Sequence, residues 1–162
     1  YDGPVKWTTG QREWNGRTLI AIASERHGIA LHDPKTHGVV VQMNSAGEPA
    51  LSFNPEIKMD WPLAVGKTWS STHEMTRYKP PGVSSLGMTF EVDAYEDVTV
   101  PAGTFKAYKI VQTSSFGEVD QTWAVPSLGL SVVKRISDRP ASHPQGAGHL
   151  EGVMVSRTLP PR

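Results

Sequence analysis

Short runs in which apolar residues alternate with small or polar residues recur along the chain. "RTLIAIASE", "GIALH" and "HGVVVQM" follow one another, and Asp33-Pro34-Lys35-Thr36 separates the last two. A period of two is typical of β-strands with one buried face. Asp followed by Pro suits the first two positions of a type I turn. The pattern therefore predicts a hairpin at Asp33, and Asn44-Ser45-Ala46-Gly47 predicts the next reversal by the same reasoning.

The second half of the chain continues the same pattern. A strand is predicted from Lys67 to Tyr78, after an irregular, proline-broken segment that we interpret as a loop across one end of the sheet. Five further strands are predicted. Their sequences are "MTFEVDAYEDVTV", "TFKAYKIVQTSS", "EVDQTWAVP", "LGLSVVKRIS" and "HLEGVMVSRTL". Residues 138–148 are almost free of apolar side chains and predict a mobile loop.

These elements predict an all-β, mostly antiparallel protein. About ten strands form a curved meander sheet, either a half-barrel or a sandwich, in one domain covering residues 1–162. Thirteen Pro and fifteen Gly agree with many turns and few helices. The 162 residues suit one domain better than two.

The stretch "VTVPAGTFKAYKIV" is the clearest single turn in the chain. Pro101 lacks an N–H group and Gly103 tolerates positive φ, so Pro-Ala-Gly-Thr is expected to end one strand and begin the next. A phosphate-binding loop would need several Gly and a Lys, which this stretch lacks. We therefore interpret it as a structural turn, with Phe105 closing the end of the core.

Charge and composition narrow the functions to be considered. Lys plus Arg and Asp plus Glu both number 16, and a net charge of 0 argues against nucleic acid as a partner. No apolar run approaches the roughly 20 residues that span a bilayer, so we expect no membrane-spanning segment. The absence of Cys excludes disulfides and thiolate chemistry.

The candidate catalytic and metal-binding groups have simpler interpretations. His32 and His37 flank one turn, but zinc sites normally use three or four protein ligands. "VSSLGM" and "TSSFGE" lack the Gly-x-Ser-x-Gly elbow of serine hydrolases. Two groups of carboxylates fit solvated strand positions better than a catalytic pair. These are Asp93, Glu96 and Asp97 in one group, and Glu118 and Asp120 in the other. We expect no catalytic residue, no metal and no cofactor.

The aromatic residues are the most informative side chains. Most are expected to fill the core, because each large ring buries about 150–250 Å². Four of them, Trp69, Tyr95, Tyr108 and Trp123, are predicted to line one curved sheet face and to contact an apolar ligand or a sugar ring.

Three motifs in order resemble a group of bacterial exported proteins, most of unknown function. The motifs are "WPLAVGKTW", "YEDVTVPAGTFKAYKI" and "TWAVPSLGLSVVKRI", and they lie between Trp61 and Ile136. The resemblance implies a periplasmic or surface-anchored β-rich domain, similar in outline to the half-barrels of lipoprotein-localisation carriers. It implies no catalytic residues.

Taken together, these features predict a non-enzymatic exported domain that binds an apolar ligand or an envelope component. The chain begins at Tyr1 rather than Met, and we expect an export signal to have been removed. Two alternatives stay open, an interaction or structural domain of the cell envelope and a carboxylate-dependent hydrolase acting on envelope glycans.

Overall fold

The computed structural model describes residues 3–129 and 131–158, and these residues form an all-β protein. Their strands are β1 (Thr8–Trp14), β2 (Arg17–Ser24), β3 (Gly28–His32), β4 (Val39–Met43), β5 (Pro49–Ile57), β6 (Thr68–Tyr78), β7 (Pro81–Val100), β8 (Gly103–Ser114), β9 (Val119–Val125), β10 (Ser131–Arg139) and β11 (Gly148–Val153). Neighbours in sequence are neighbours in one antiparallel sheet. The predicted all-β meander is therefore confirmed, with eleven strands where about ten were expected.

The sequence pattern missed two strands and shortened a third. β1 carries no buried residue, and β5 contains Pro55 inside the segment interpreted as a loop. β7 begins at Pro81, whereas the predicted strand "MTFEVDAYEDVTV" begins at Met88. Strands without a clean apolar alternation give little signal, because a period-two pattern depends on one face being buried.

Helical structure is almost absent from the described part of the chain. A single 3₁₀ turn covers Pro126–Leu128 and ends at Gly129, which has a φ of 62°. Within these residues there is no helix with the length and apolar character needed to cross a membrane.

The chain divides into two compact units. One contains residues 1–60 and 71–86, and the other contains residues 61–70 and 87–162. The single domain expected from the length remains a prediction.

The first unit has its own apolar core. Leu31 and Val41 are fully buried, and they pack with Leu19, Val40 and Met43. The predicted turn at Asp33 is present. The Asp33 Oδ1 accepts hydrogen bonds from the backbone amides of Lys35 and Thr36, at 2.8 and 2.9 Å. These contacts connect β3 to β4 as the sequence predicts.

The second unit contains the motif that the sequence analysis singled out. β7 ends at Val100 and β8 begins at Gly103, whose φ is +138°. The core beside this turn includes Val98, Ala107 and Val125, with Phe105 packed against it. The Pro-Ala-Gly-Thr stretch is therefore a structural turn with its aromatic residue at the end of the core.

The loop expected at residues 138–148 is shorter, because β10 continues to Arg139 and β11 begins at Gly148. Residues 140–147 are held by side-chain contacts. Arg139 donates to Gln145 at 2.6 Å, and the His143 ring lies 3.7 Å from the Glu118 carboxylate. The mobility of this loop remains a prediction.

Candidate functional site

Tyr95 and Tyr108 form an exposed aromatic pair on the second unit. They lie directly opposite each other on β7 and β8, and their rings stack with centroids 4.4 Å apart and an angle of 26° between planes. Tyr95 is 43% exposed and Tyr108 is partly buried. Aromatic pairs of this geometry are favourable by about 0.5–1.5 kcal/mol beyond the area they bury. The pair is thus a fixed platform at the protein surface.

A pair of opposite charges lies beside the tyrosines on the same face. Asp97 and Lys106 are also directly opposite each other, two residues from Tyr95 and Tyr108 respectively, so alternation points all four side chains the same way. The Lys106 ammonium lies 3.9 Å from the Asp97 carboxylate and 5.3 Å from the centroid of the Tyr95 ring. Both charged side chains are more than half exposed, at 52% and 72% for Lys106 and Asp97.

The apolar row continues across two further strands. Tyr108 is opposite Ala124 on β9, and Ala124 is opposite Val132 on β10. Ala124 is buried, whereas Val132 is 45% exposed. We call one group of five residues on this face, four of them exposed and Tyr108 partly buried, the tyrosine surface. Its members are Tyr95, Asp97, Lys106, Tyr108 and Val132.

Trp123 does not belong to the tyrosine surface. It is opposite Lys109 on β8, so it lies on the other face from Tyr108. The ring is buried between the ammonium groups of Lys109 and Lys134, at 5.5 and 5.0 Å from its centroid. Its Nε1 donates to the Glu96 carboxylate at 2.9 Å. The expectation that all four predicted rings share one face is wrong, because the register places Trp123 in the core of the other face.

Trp69 lies on the same face as Tyr108 but takes part in buried packing. Its ring stacks on Phe90 at 4.9 Å, and Phe90 is opposite Gln112, which alternates onto the face of Tyr108. Phe90 is only 3% exposed. The Trp69 Nε1 is buried and has no hydrogen-bond partner among the described residues. Trp69 and Phe90 therefore act as packing groups.

A shallow groove of about 510 Å³ runs across β6, β7 and β8. Thr89 is opposite Thr113, and Glu91 is opposite Val111, so these four side chains share the face opposite Phe90. The lining residues are Thr68, Trp69, Ser70, Thr89, Phe90, Glu91, Val111 and Thr113. Alternation leaves the rings of Trp69 and Phe90 on the reverse face, so the side chains that face the groove are mainly hydroxyls with one carboxylate.

The carboxylates considered for hydrolysis each have a structural partner. Asp93 pairs with Lys109 at 3.0 Å, and Glu96 accepts the Trp123 indole hydrogen bond. Asp120 makes a bidentate contact with Arg135. In each of these contacts the carboxylate is paired with a cation or an N–H donor from another strand, which is a structural role.

In the histidine pair of the β3–β4 hairpin, the ring of His32 already contacts the backbone. The His32 Nδ1 lies 2.9 Å from the His37 carbonyl oxygen, which leaves one ring nitrogen of this residue for any other contact. No group of three or more metal-ligating side chains with suitable geometry occurs within residues 3–129 and 131–158.

Asp97, Lys106 and Val132 are the site residues that sequence reasoning missed. The signal for the charged pair was present, because Tyr95 and Asp97, and Lys106 and Tyr108, are each two residues apart on a strand. The pairing of β7 with β8, which no local pattern specifies, places the β7 residues Tyr95 and Asp97 opposite their partners on β8.

No protein family, curated protein or solved structure matches this chain. The resemblance to exported bacterial proteins accordingly stays a prediction.

Proposed function

We propose that the protein is a binding domain of the bacterial cell envelope, and that it holds sugar rings of an oligosaccharide on the tyrosine surface. The single observation that carries the proposal is the exposed Tyr95–Tyr108 stack with an ion pair beside it on the same face. The envelope location rests on the resemblance of the three motifs. The proposed role of the tyrosine surface is binding without turnover.

The chemistry of the surface favours a hydroxylated ring over an acyl chain. A sugar ring has a flat C–H face that packs on an aromatic ring, and its hydroxyls need donors and acceptors at the edge. Lys106 supplies a donor and Asp97 an acceptor beside Tyr95. An acyl chain, by contrast, is usually bound in a concave cavity that buries most of its surface. An exposed strand face does not provide that burial.

The Lys106 ammonium is a replaceable neighbour of the Tyr95 ring. Its side chain is 52% exposed, and a cation–π contact at an exposed site contributes only about 0.5–1 kcal/mol. An incoming ring can take its place above Tyr95 while the ammonium turns to hydrogen-bond a ligand hydroxyl. A ligand can therefore replace the weak contact between Lys106 and Tyr95 at little energetic cost.

Calorimetric titration with a β-1,4-linked N-acetylglucosamine hexamer tests this function. We expect saturable binding to the intact protein, weakened about 2- to 12-fold by Tyr95→Ala, since a stacking contact contributes about 0.5–1.5 kcal/mol. Asp97→Asn and Lys106→Ala should also weaken binding, because each removes or weakens a hydrogen bond to a hydroxyl of the sugar ring. Thr113→Ala is the control for the opposite face, because Thr113 lies on β8 like Tyr108 but lines the groove.

Three results would contradict the proposal. The first is equal affinity for the Tyr95→Ala and Thr113→Ala variants. The second is saturable binding of a fluorescent fatty-acyl probe in place of the hexamer. The third is the absence of binding by either ligand, with the fold intact by circular dichroism, which would leave an interaction or structural domain as the better description.

A further inference from the structure

β6 carries a serine and a histidine that form a short hydrogen-bonded chain within the first unit. Ser71 and His73 are two residues apart and share a face of the strand. The Ser71 Oγ lies 2.7 Å from the His73 Nε2, and the His73 Nδ1 lies 2.6 Å from the carbonyl oxygen of Pro55. No part of the proposed binding function uses these groups.

The carbonyl group determines which nitrogen of His73 carries the proton. A carbonyl oxygen only accepts hydrogen bonds, so Nδ1 is the protonated nitrogen of the neutral ring. The Nε2 lone pair then accepts the hydrogen bond that the Ser71 hydroxyl donates. This is the order of a nucleophile, a general base and a group that orients the base.

The local fold holds the base in place and leaves the nucleophile accessible. Asn54 is opposite Glu74 in the pairing of β5 with β6, and the same register brings Pro55 beside His73. His73 is 2% exposed, so its ring is fixed, whereas Ser71 keeps part of its surface in solvent. The imidazole is therefore buried, while the residue that carries the nucleophilic hydroxyl is only partly buried.

We propose that Ser71 is a nucleophilic serine, activated by His73, that forms a covalent ester with activated acyl or phosphonyl groups. In the reaction the Ser71 oxygen attacks the electrophilic carbon or phosphorus, and its proton passes to Nε2 of His73. The bond to the leaving group then breaks, and the leaving group departs with that proton. The serine ester and the protonated leaving group are the only products. The proposal covers this single modification and requires no turnover.

Ser70 provides a matched control in the same strand. It is adjacent in sequence and alternates to the opposite face, where it lines the groove. No hydrogen bond from Ser70 to a histidine is present in the described residues. A difference in reactivity between Ser70 and Ser71 therefore measures the effect of His73 rather than the general reactivity of serine.

The test uses the full chain and a biotin-tagged fluorophosphonate, with the adduct located by intact mass and peptide mapping. We expect one adduct per chain, on Ser71, with loss of hydrogen fluoride. Ser71→Ala should abolish it, and His73→Gln should slow it by at least about 100-fold, the lower end of general-base catalysis. Labelling in 8 M urea should fall to the background that Ser70 shows.

Absence of an adduct, or equal labelling of Ser70 and Ser71, would overturn the proposal. If His73→Gln fails to fold, the comparison of the two serines in the unaltered protein still decides the question. The result is independent of oligosaccharide binding, because Tyr95→Ala should leave labelling unchanged and Ser71→Ala should leave hexamer affinity unchanged.

Discussion

Replacing Gly103 by Val tests the account of the turn between β7 and β8. The φ of Gly103 is +138°, a value that side chains with a Cβ rarely adopt. A Cβ built at this position meets the Phe105 ring at 3.5 Å, an ordinary van der Waals distance. A Cβ therefore fits at this position, and the cost that applies to any side chain there is the strain of the backbone. Such strain amounts to about 1–3 kcal/mol.

Gly152→Val is the control for this substitution. Gly152 lies in β11 with open space around it and without positive φ. A β-branched residue suits an extended strand, so this variant should be as stable as the parent or slightly more so.

The stability of both variants is measured by urea unfolding, with Trp fluorescence as the signal. With a slope of about 1–3 kcal/mol per molar urea, the midpoint for Gly103→Val should fall by about 1 M, while the slope stays the same. Equal midpoints for the two variants would refute the reasoning that Gly103 is required for its backbone conformation.

Three further predictions concern contacts within single units. Hydrogen bonding to Asp138, reinforced by the charge of that carboxylate, raises the pKa of His149 above its ordinary 6.5. This contact should stabilise the fold below that ordinary pKa and lose its effect as the pH rises through the raised value. An NMR titration in which Asp138→Asn leaves the His149 pKa unchanged would contradict it. Backbone amides of the β3–β4 hairpin lower the pKa of Asp33, so Asp33→Ala should cost about 1 kcal/mol in urea unfolding at pH 7, and no loss would count against the turn. A Cβ at Gly28 would lie 2.1 Å from the Met43 carbonyl oxygen, so Gly28→Ala should cost more than about 2 kcal/mol by thermal denaturation, and an unchanged melting temperature would show that the strands separate easily there.

Local sequence patterns were sufficient for most of the fold. The strands around Asp33 and the Pro-Ala-Gly-Thr turn combine alternation with residues that favour one turn geometry, so several local preferences agree. β5 was missed because Pro55 interrupts its pattern. The carbonyl of this proline instead accepts the hydrogen bond from His73, a contact between strands that no local pattern records.

The sequence predicts only in part which residues share a face of the sheet at the site. Alternation along one strand correctly separates Tyr108 from Lys109, but it says nothing about which residue of β9 lies opposite. The register places Ala124, not Trp123, beside Tyr108. Thr122 shows the same limit. It alternates with Asp120, which was predicted at a solvated strand position, yet Thr122 is 7% exposed and its hydroxyl has no hydrogen-bond partner in the described part of the chain.

A residue-by-residue map of oligosaccharide binding tests the central claim most directly. Two-dimensional ¹H–¹⁵N spectra of the labelled protein would be recorded during titration with the N-acetylglucosamine hexamer. The account predicts shift changes centred on the amides of Tyr95, Lys106, Tyr108 and Val132, with Thr89 and Thr113 unaffected. Changes centred on the groove of Thr89 and Thr113, or unchanged spectra at millimolar hexamer, would contradict it.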